Sequence, residues 1–104
     1  MELKMMDTLQ VECEDGILRV ILNRPDQRNA MNLRMFDELR SVFEATADDR
    51  SIRVVCLSGA GGNFCSGGDL TPDDAPAEGG SLRARTLSVL RDRVAPMTEA
   101  LHAV

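Results

Sequence analysis

An α/β fold, with a β-hairpin leading into a strand–helix–strand unit, is predicted by three features of this sequence. Two short apolar runs flank Glu14-Asp15-Gly16, a helical apolar period fills residues 33–47, and a nearly continuous apolar run follows at 52–58. The order strand, helix, strand implies a right-handed crossover between parallel strands. At 104 residues and 43% hydrophobic content, the chain is expected to form one domain over 1–104 with a modest core.

The elements follow in order. Residues 8–13 roughly alternate apolar and polar, and Ile17–Leu22 is richer in apolar side chains. The Asp-Gly pair between them is a chain reversal of the left-handed kind, giving a hairpin over 8–22. Residues 23–32, NRPDQRNAMN, are mostly turn formers, and Pro25 has no N–H to continue a ladder. Asn32 is placed to cap a helix over 33–47. There Met35, Phe36, Leu39, Val42 and Phe43 repeat at helical spacing, with Glu38, Arg40 and Glu44 expected on the other face. The run at 52–58 reads as a parallel strand buried on both faces. A loop rich in glycine spans 59–69, and an acidic, proline-containing loop spans 71–81. A second helix over 81–104 is expected to carry one apolar stripe, Leu82, Leu87, Leu90, Val94, Met97, Leu101 and Val104, with a kink or break near Ala95 caused by Pro96.

Composition narrows the function. A formal charge of −5 argues against nucleic-acid partners and anionic membrane surfaces, which need clustered Lys and Arg. With three Phe and no Tyr or Trp, a ligand grip by aromatic stacking is not expected. Three cysteines without framework spacing suit reduced thiols in a cytoplasmic protein. No run is long enough to span a bilayer, and the N-terminus lacks a secretory h-region. One histidine and no C-x-x-C give no expectation of a metal.

In open parallel sheets the ligand crevice lies beyond the carboxyl ends of the strands. The segments 23–32 and 59–69 should therefore face one site. The second of these, within VVCLSGAGGNFCSGGDL, is not any of three familiar glycine motifs. The dinucleotide fingerprint starts at Gly59-Ala60-Gly61 but meets Phe64 where its last glycine belongs. Gly62 and Gly67 have phosphate-loop spacing, but Gly68 stands in place of the lysine. A nucleophile elbow centred on Ser66 would need glycine at Phe64. Cys65 lacks a neighbouring base, since His102 is far along the chain. What remains is backbone chemistry. Asp69 can cap a short helical turn beginning at Leu70 and Thr71, and amides at such a start point outward with partial positive charge. They suit an oxygen gaining negative charge. The alternative, that the glycines only turn the chain tightly into a helix, is equally compatible with their spacing.

The loop LNRPDQRNAMN, followed some thirty residues later by VVCLSGAGGNFCSGGDL, closely resembles the enoyl-CoA hydratase/isomerase (crotonase) superfamily. The resemblance implies a crotonase-like spiral of ββα repeats that binds an acyl-CoA thioester, with no cofactor beyond the coenzyme A of the substrate. It implies that Gly68 supplies one oxyanion N–H, between Gly67 and Asp69. It implies that backbone at Cys65, Ser66, Leu70 and Thr71 lines the adenine and acyl-pantetheine path. Arg28 would face the CoA phosphates or simply remain a solvated loop charge. Asn29 and Ala30 would shape the turn, Asn29 by bonding the loop to itself.

The departures from the family pattern matter as much. Its second oxyanion donor and its catalytic carboxylates follow a P-K-P-x-x-A-x-x-x-G strand with no counterpart here, and its C-terminal trimerisation helices are missing too. The chain therefore matches an N-terminal portion of such an enzyme, which when complete would form a homo-oligomer, a trimer or hexamer. Asp73, Asp74 and Glu78 lie in the acidic loop and are not expected to replace those carboxylates. Three readings follow: part of a hydratase or isomerase acting through a thioester enolate, a non-catalytic acyl-CoA-binding or interaction module, or an inactive fragment.

Overall fold

Glycine at the second position of a two-residue reversal lets both central residues take positive φ, and the chain uses this. Asp15 has φ 53° and Gly16 φ 80°, the left-handed pair that matches the twist of flanking strands. In the computed structural model, which describes residues 2–68 and 87–104, this turn joins β2 (Leu9–Glu14) to β3 (Ile17–Leu22) with Glu14 opposite Ile17. A strand unforeseen in the sequence, β1 (Glu2–Met5), adds antiparallel to β2. The Gly16 carbonyl then accepts from the N–H groups of Arg53 (2.7 Å) and Val54 (3.2 Å). That contact starts β4 (Val54–Gly59) parallel to β3, from Ile17 beside Val54 to Leu22 beside Gly59. The sheet order is β1-β2-β3-β4.

The crossover is α1 (Leu33–Ala47), capped by Asn32, whose side chain accepts from the Met35 N–H at 3.0 Å. Met35, Leu39 and Phe43 pack with Leu9, Leu18, Val20 and Leu22 into the core. Glu38 differs from expectation. It is buried, 9% exposed, and its carboxylate accepts from the Thr8 N–H (2.8 Å), the Thr8 hydroxyl (2.7 Å) and the Asp7 N–H (3.2 Å). The turn into β2 has donors to satisfy there, and a residue three after Met35 still reaches the inward side.

β4 also departs from the sequence reading. It begins at Val54 instead of residue 52, and it is not buried on both faces: Val54 is 51% exposed, Leu57 41%, and Cys56 is exposed. It pairs with β3 on one side only and is the edge of the sheet. An apolar strand acquires its burial from neighbours, which the described residues do not supply on that side.

The C-terminal helix is built in two parts. A π-helical turn at Leu90–Val94 leads directly into α2 (Ala95–His102). The Ala95 N–H bonds back to the Leu90 carbonyl, so Pro96 follows a widened turn that accommodates its ring without ending the helix. The extra residue rotates the side chains. Ala100 joins the core and Met97 packs against it, whereas Leu87, Leu90, Leu101 and Val104 are exposed. The expected single stripe is thus split, and its first member, Leu82, lies outside the described residues. Arg93 pairs with Asp37 of α1. No helix among the described residues is long and apolar enough to cross a membrane.

Candidate functional site

Two loops leave the same end of the parallel pair, the first after β3 and the second after β4. The first opens when Pro25 fixes φ and starts a 3-10 turn at Pro25–Gln27. The Arg28 and Ala30 N–H groups donate to the Pro25 and Gln27 carbonyls, and the Asn29 N–H to that of Arg24 (2.8 Å). Arg28 and Asn29 both take left-handed backbone, φ 52° and 58°. Asparagine accepts that conformation readily; arginine there stores strain of order 1–2 kcal/mol. The Arg24 guanidinium donates to the Ala30 carbonyl.

The second loop is pressed against the first by glycines of different kinds. A Cβ at Gly59 would lie 2.2 Å from the Asn63 carbonyl oxygen, and one at Gly61 would lie 2.7 Å from Pro25 Cβ. Both positions need bare backbone for close packing. Gly67 needs it for its φ of 117°. Gly68 needs it for neither reason: its φ is not positive, and a Cβ there would meet nothing within 4 Å.

Asn29 joins the loops. It is fully buried, its Oδ1 accepts from the Arg24 N–H at 2.8 Å, and its Nδ2 donates to the Ala60 (2.9 Å) and Asn63 (2.7 Å) carbonyls. Farther along, the Met31 N–H donates to the Gly67 carbonyl at 2.8 Å, making an isolated parallel bridge between Met31 and Gly68. The described hydrogen bond of this bridge runs to the Gly67 carbonyl, not to Gly68 itself. The Gly68 N–H accordingly has no acceptor among the described residues, and Gly68 is exposed.

The other residues singled out in the sequence fall as follows. Arg28 is exposed on the first loop and Ala30 is half-buried. Cys65 is half-buried, and its Sγ accepts from the Gly67 N–H at 3.4 Å. The exposed Ser66 hydroxyl donates to the Gln27 carbonyl at 3.5 Å. Asp69, Leu70 and Thr71, with the expected helix cap and the acidic loop, lie outside the described residues. Among the described residues no three His, Cys, Asp or Glu side chains gather as a metal site, and His102 is exposed at the end of α2. Sequence reasoning missed the reach of Asn29 into the second loop, the seat of Gly61 on Pro25 and the anchoring role of Met31. The proline and the glycine were visible signals, but their pairing was not.

The arrangement therefore presents the Gly68 N–H on an exposed loop tied to its neighbour through Asn29, Met31 and Ser66. Like those of Phe64, Cys65 and Ser66, that N–H has no acceptor among the described residues. Such a donor can polarise a carbonyl. The model of the enoyl-CoA hydratase/isomerase family matches residues 12–89. Enoyl-CoA delta isomerase 2 of Homo sapiens is 39% identical over 85 residues, covering 81% of this chain and 21% of that protein. A probable enoyl-CoA hydratase of Rhodobacter capsulatus is 33% identical over 96 residues, 92% of this chain and 34% of that one. Among solved structures, an enoyl-CoA hydratase/isomerase from Marinobacter aquaeolei superposes with TM-score 0.75 at 37% identity, over 91% of this chain and 37% of that chain. A probable enoyl-CoA hydratase from Mycobacterium smegmatis gives TM-score 0.73 at 31% identity, over 90% and 36%. The chain thus spans 21% to 37% of the length of these relatives.

Proposed function

The chain belongs to the enoyl-CoA hydratase/isomerase family, and we propose that it forms the acyl-CoA-binding part of such an enzyme, within a spiral of ββα units. The thioester carbonyl oxygen lies against the Gly68 N–H. As a nucleophile adds to the conjugated double bond, or a proton leaves the α-carbon, that oxygen gains negative charge and becomes an enolate oxygen. An amide already aimed at it stabilises the change by about 3–4 kcal/mol per donor. The backbone at Cys65 and Ser66 lines the path of the acyl-pantetheine arm, and the exposed Arg28 faces the phosphates of CoA. Coenzyme A enters as part of the substrate and no separate cofactor takes part. The second donor and the carboxylates that move the proton and water belong to the part of the family pattern this chain does not match. Hydration of a 2-enoyl-CoA and migration of its double bond share the same polarised carbonyl.

One observation carries this reading: the Gly68 amide is held beside the first loop by the Met31–Gly67 hydrogen bond and has no acceptor of its own among the described residues. Calorimetry with a saturated acyl-CoA, carbon-13 labelled at the thioester carbonyl, tests it alongside a hydratase assay. The carbonyl resonance is expected to move downfield on binding. The shift should survive Gly68→Ala, which keeps the N–H, and disappear with Gly68→Pro, which removes it. An unchanged shift in the proline variant refutes the role of Gly68. Binding without turnover is expected of this chain alone, since it does not match the carboxylate-bearing part of the pattern, and absence of binding refutes the reading.

A further inference from the structure

We infer that Asn29 is the positioning residue of the second loop: its carboxamide sets the fraction of molecules in which Gly67 and Gly68 are docked for a ligand. The inference rests on the acyl-CoA reading for its ligand, but its geometric content stands on the hydrogen bonds alone. Asn29 is fully buried, and its two halves work in different directions. The Oδ1 atom closes the first loop on itself through the Arg24 N–H. The Nδ2 atom crosses to the second loop and donates to two carbonyls, those of Ala60 and Asn63, 31 and 34 residues away in sequence. Both donors of the amide are therefore used between loops, and one acceptor is used within a loop.

Beyond these two bonds, the described backbone hydrogen bond between the loops is that of Met31 with Gly67, directly beside the proposed donor. The Gly67 segment is held besides by the Ser66 hydroxyl, which donates to the Gln27 carbonyl at 3.5 Å, and by Cys65, which packs against the core. Gly67 and Gly68 themselves are exposed, and a Cβ on either would touch nothing within 4 Å. The first loop is rooted in the cap of α1 through Asn32. Order passes from α1 through the first loop to the second. A ligand that binds only the docked loop has its apparent affinity reduced by the undocked fraction.

Asparagine is suited to the position twice over, because φ is 58° and few other side chains accept that conformation. Two variants respect it. Asn29→Asp keeps an acceptor for the Arg24 N–H but faces the Ala60 and Asn63 carbonyls with oxygen in place of N–H. Asn29→Gly keeps the backbone and removes both halves. Three amides then report separately by hydrogen exchange on the 104-residue chain. Arg24 reports closure of the first loop, Met31 reports docking of the second, and Asn23, bonded to the Thr8 carbonyl, reports the sheet.

In Asn29→Asp, exchange at Met31 is expected to accelerate about tenfold or more, from the loss of two part-buried hydrogen bonds, while Arg24 and Asn23 hold their rates. In Asn29→Gly, Arg24 and Met31 should both accelerate and Asn23 should not. The affinity for the carbon-13-labelled acyl-CoA should fall about as much as Met31 protection in Asn29→Asp, while the carbonyl shift of the bound fraction stays at its wild-type value. A Met31 rate unchanged in Asn29→Asp overturns the inference. So does acceleration of all three amides together, or failure of both variants to fold, since each makes Asn29 a residue of global stability only. A wild-type chain that binds without moving the carbonyl resonance refutes the oxyanion reading instead, and the Met31 rate still decides the role of Asn29.

Discussion

Replacing Gly61 by alanine places a known atom in a known position, and its cost can be worked from the structure. Alanine at φ 77° carries a left-handed backbone penalty of about 1–2 kcal/mol. Its Cβ would also stand 2.7 Å from Pro25 Cβ. The pyrrolidine ring cannot rotate away, and the 3-10 turn that begins with Pro25 is closed by the hydrogen bond from the Arg28 N–H. Overpacking of this kind costs about 1–3 kcal/mol, so the total loss is about 2–5 kcal/mol. Domains of this size have roughly 5–15 kcal/mol in all. Gly62→Ala is the control, because Gly62 has φ 88° but an added methyl there would meet nothing within 4 Å; it should lose only the backbone penalty. Urea unfolding followed by circular dichroism, with unchanged m-values, measures both. The difference between them isolates the contact with Pro25, and Pro25→Gly combined with Gly61→Ala should recover most of it. If Gly61→Ala and Gly62→Ala unfold at the same urea concentration, the two loops are not held together through Pro25, and the reasoning fails.

Glu38→Ala should destabilise the chain by about 2–4 kcal/mol, because it leaves the buried Thr8 N–H and hydroxyl without their acceptor. A double-mutant cycle with Thr8→Val should show coupling above about 0.5 kcal/mol; additive losses would remove the carboxylate from its assigned role. Asp49 is held below its ordinary pKa of 3.8, first by the Ser51 hydroxyl and then by the Ser51 N–H. A lowered folded pKa contributes stability that is present above the unfolded value and lost as pH falls through the folded one. A carboxyl carbon-13 titration should therefore place Asp49 below free aspartate, and Ser51→Ala should move it back upward; no movement would reassign the cause.

What was legible in the sequence was local. The Asp15-Gly16 reversal, the Asn32 cap and the break at Pro25 each depend on a few adjacent residues, and each is found where the residue types direct it. The same holds for the pairing of two turn-rich loops at one end of the parallel strands, which follows from chain order and handedness. Illegible features depend on a partner distant in sequence. Nothing in LRMFDELR shows that Glu38 meets the Thr8 amide 30 residues upstream. An apolar run at 54–59 does not say whether a neighbour covers it, and here its outer side has none among the described residues.

The two kinds of feature meet in the second loop. Five glycines stand between positions 59 and 68, and as letters they are alike. The structure divides them by what a methyl group would meet: backbone at Gly59, a proline ring at Gly61, strained φ at Gly61, Gly62 and Gly67, and open space with ordinary φ at Gly68. Four have a reason internal to the fold. The fifth has none among the described residues, and its amide has no acceptor there either. A residue selected only for turning the chain would share the constraints of its neighbours. At Gly68, then, the described fold gives no reason for a bare backbone, and an alanine there should cost less stability than at any of the other four.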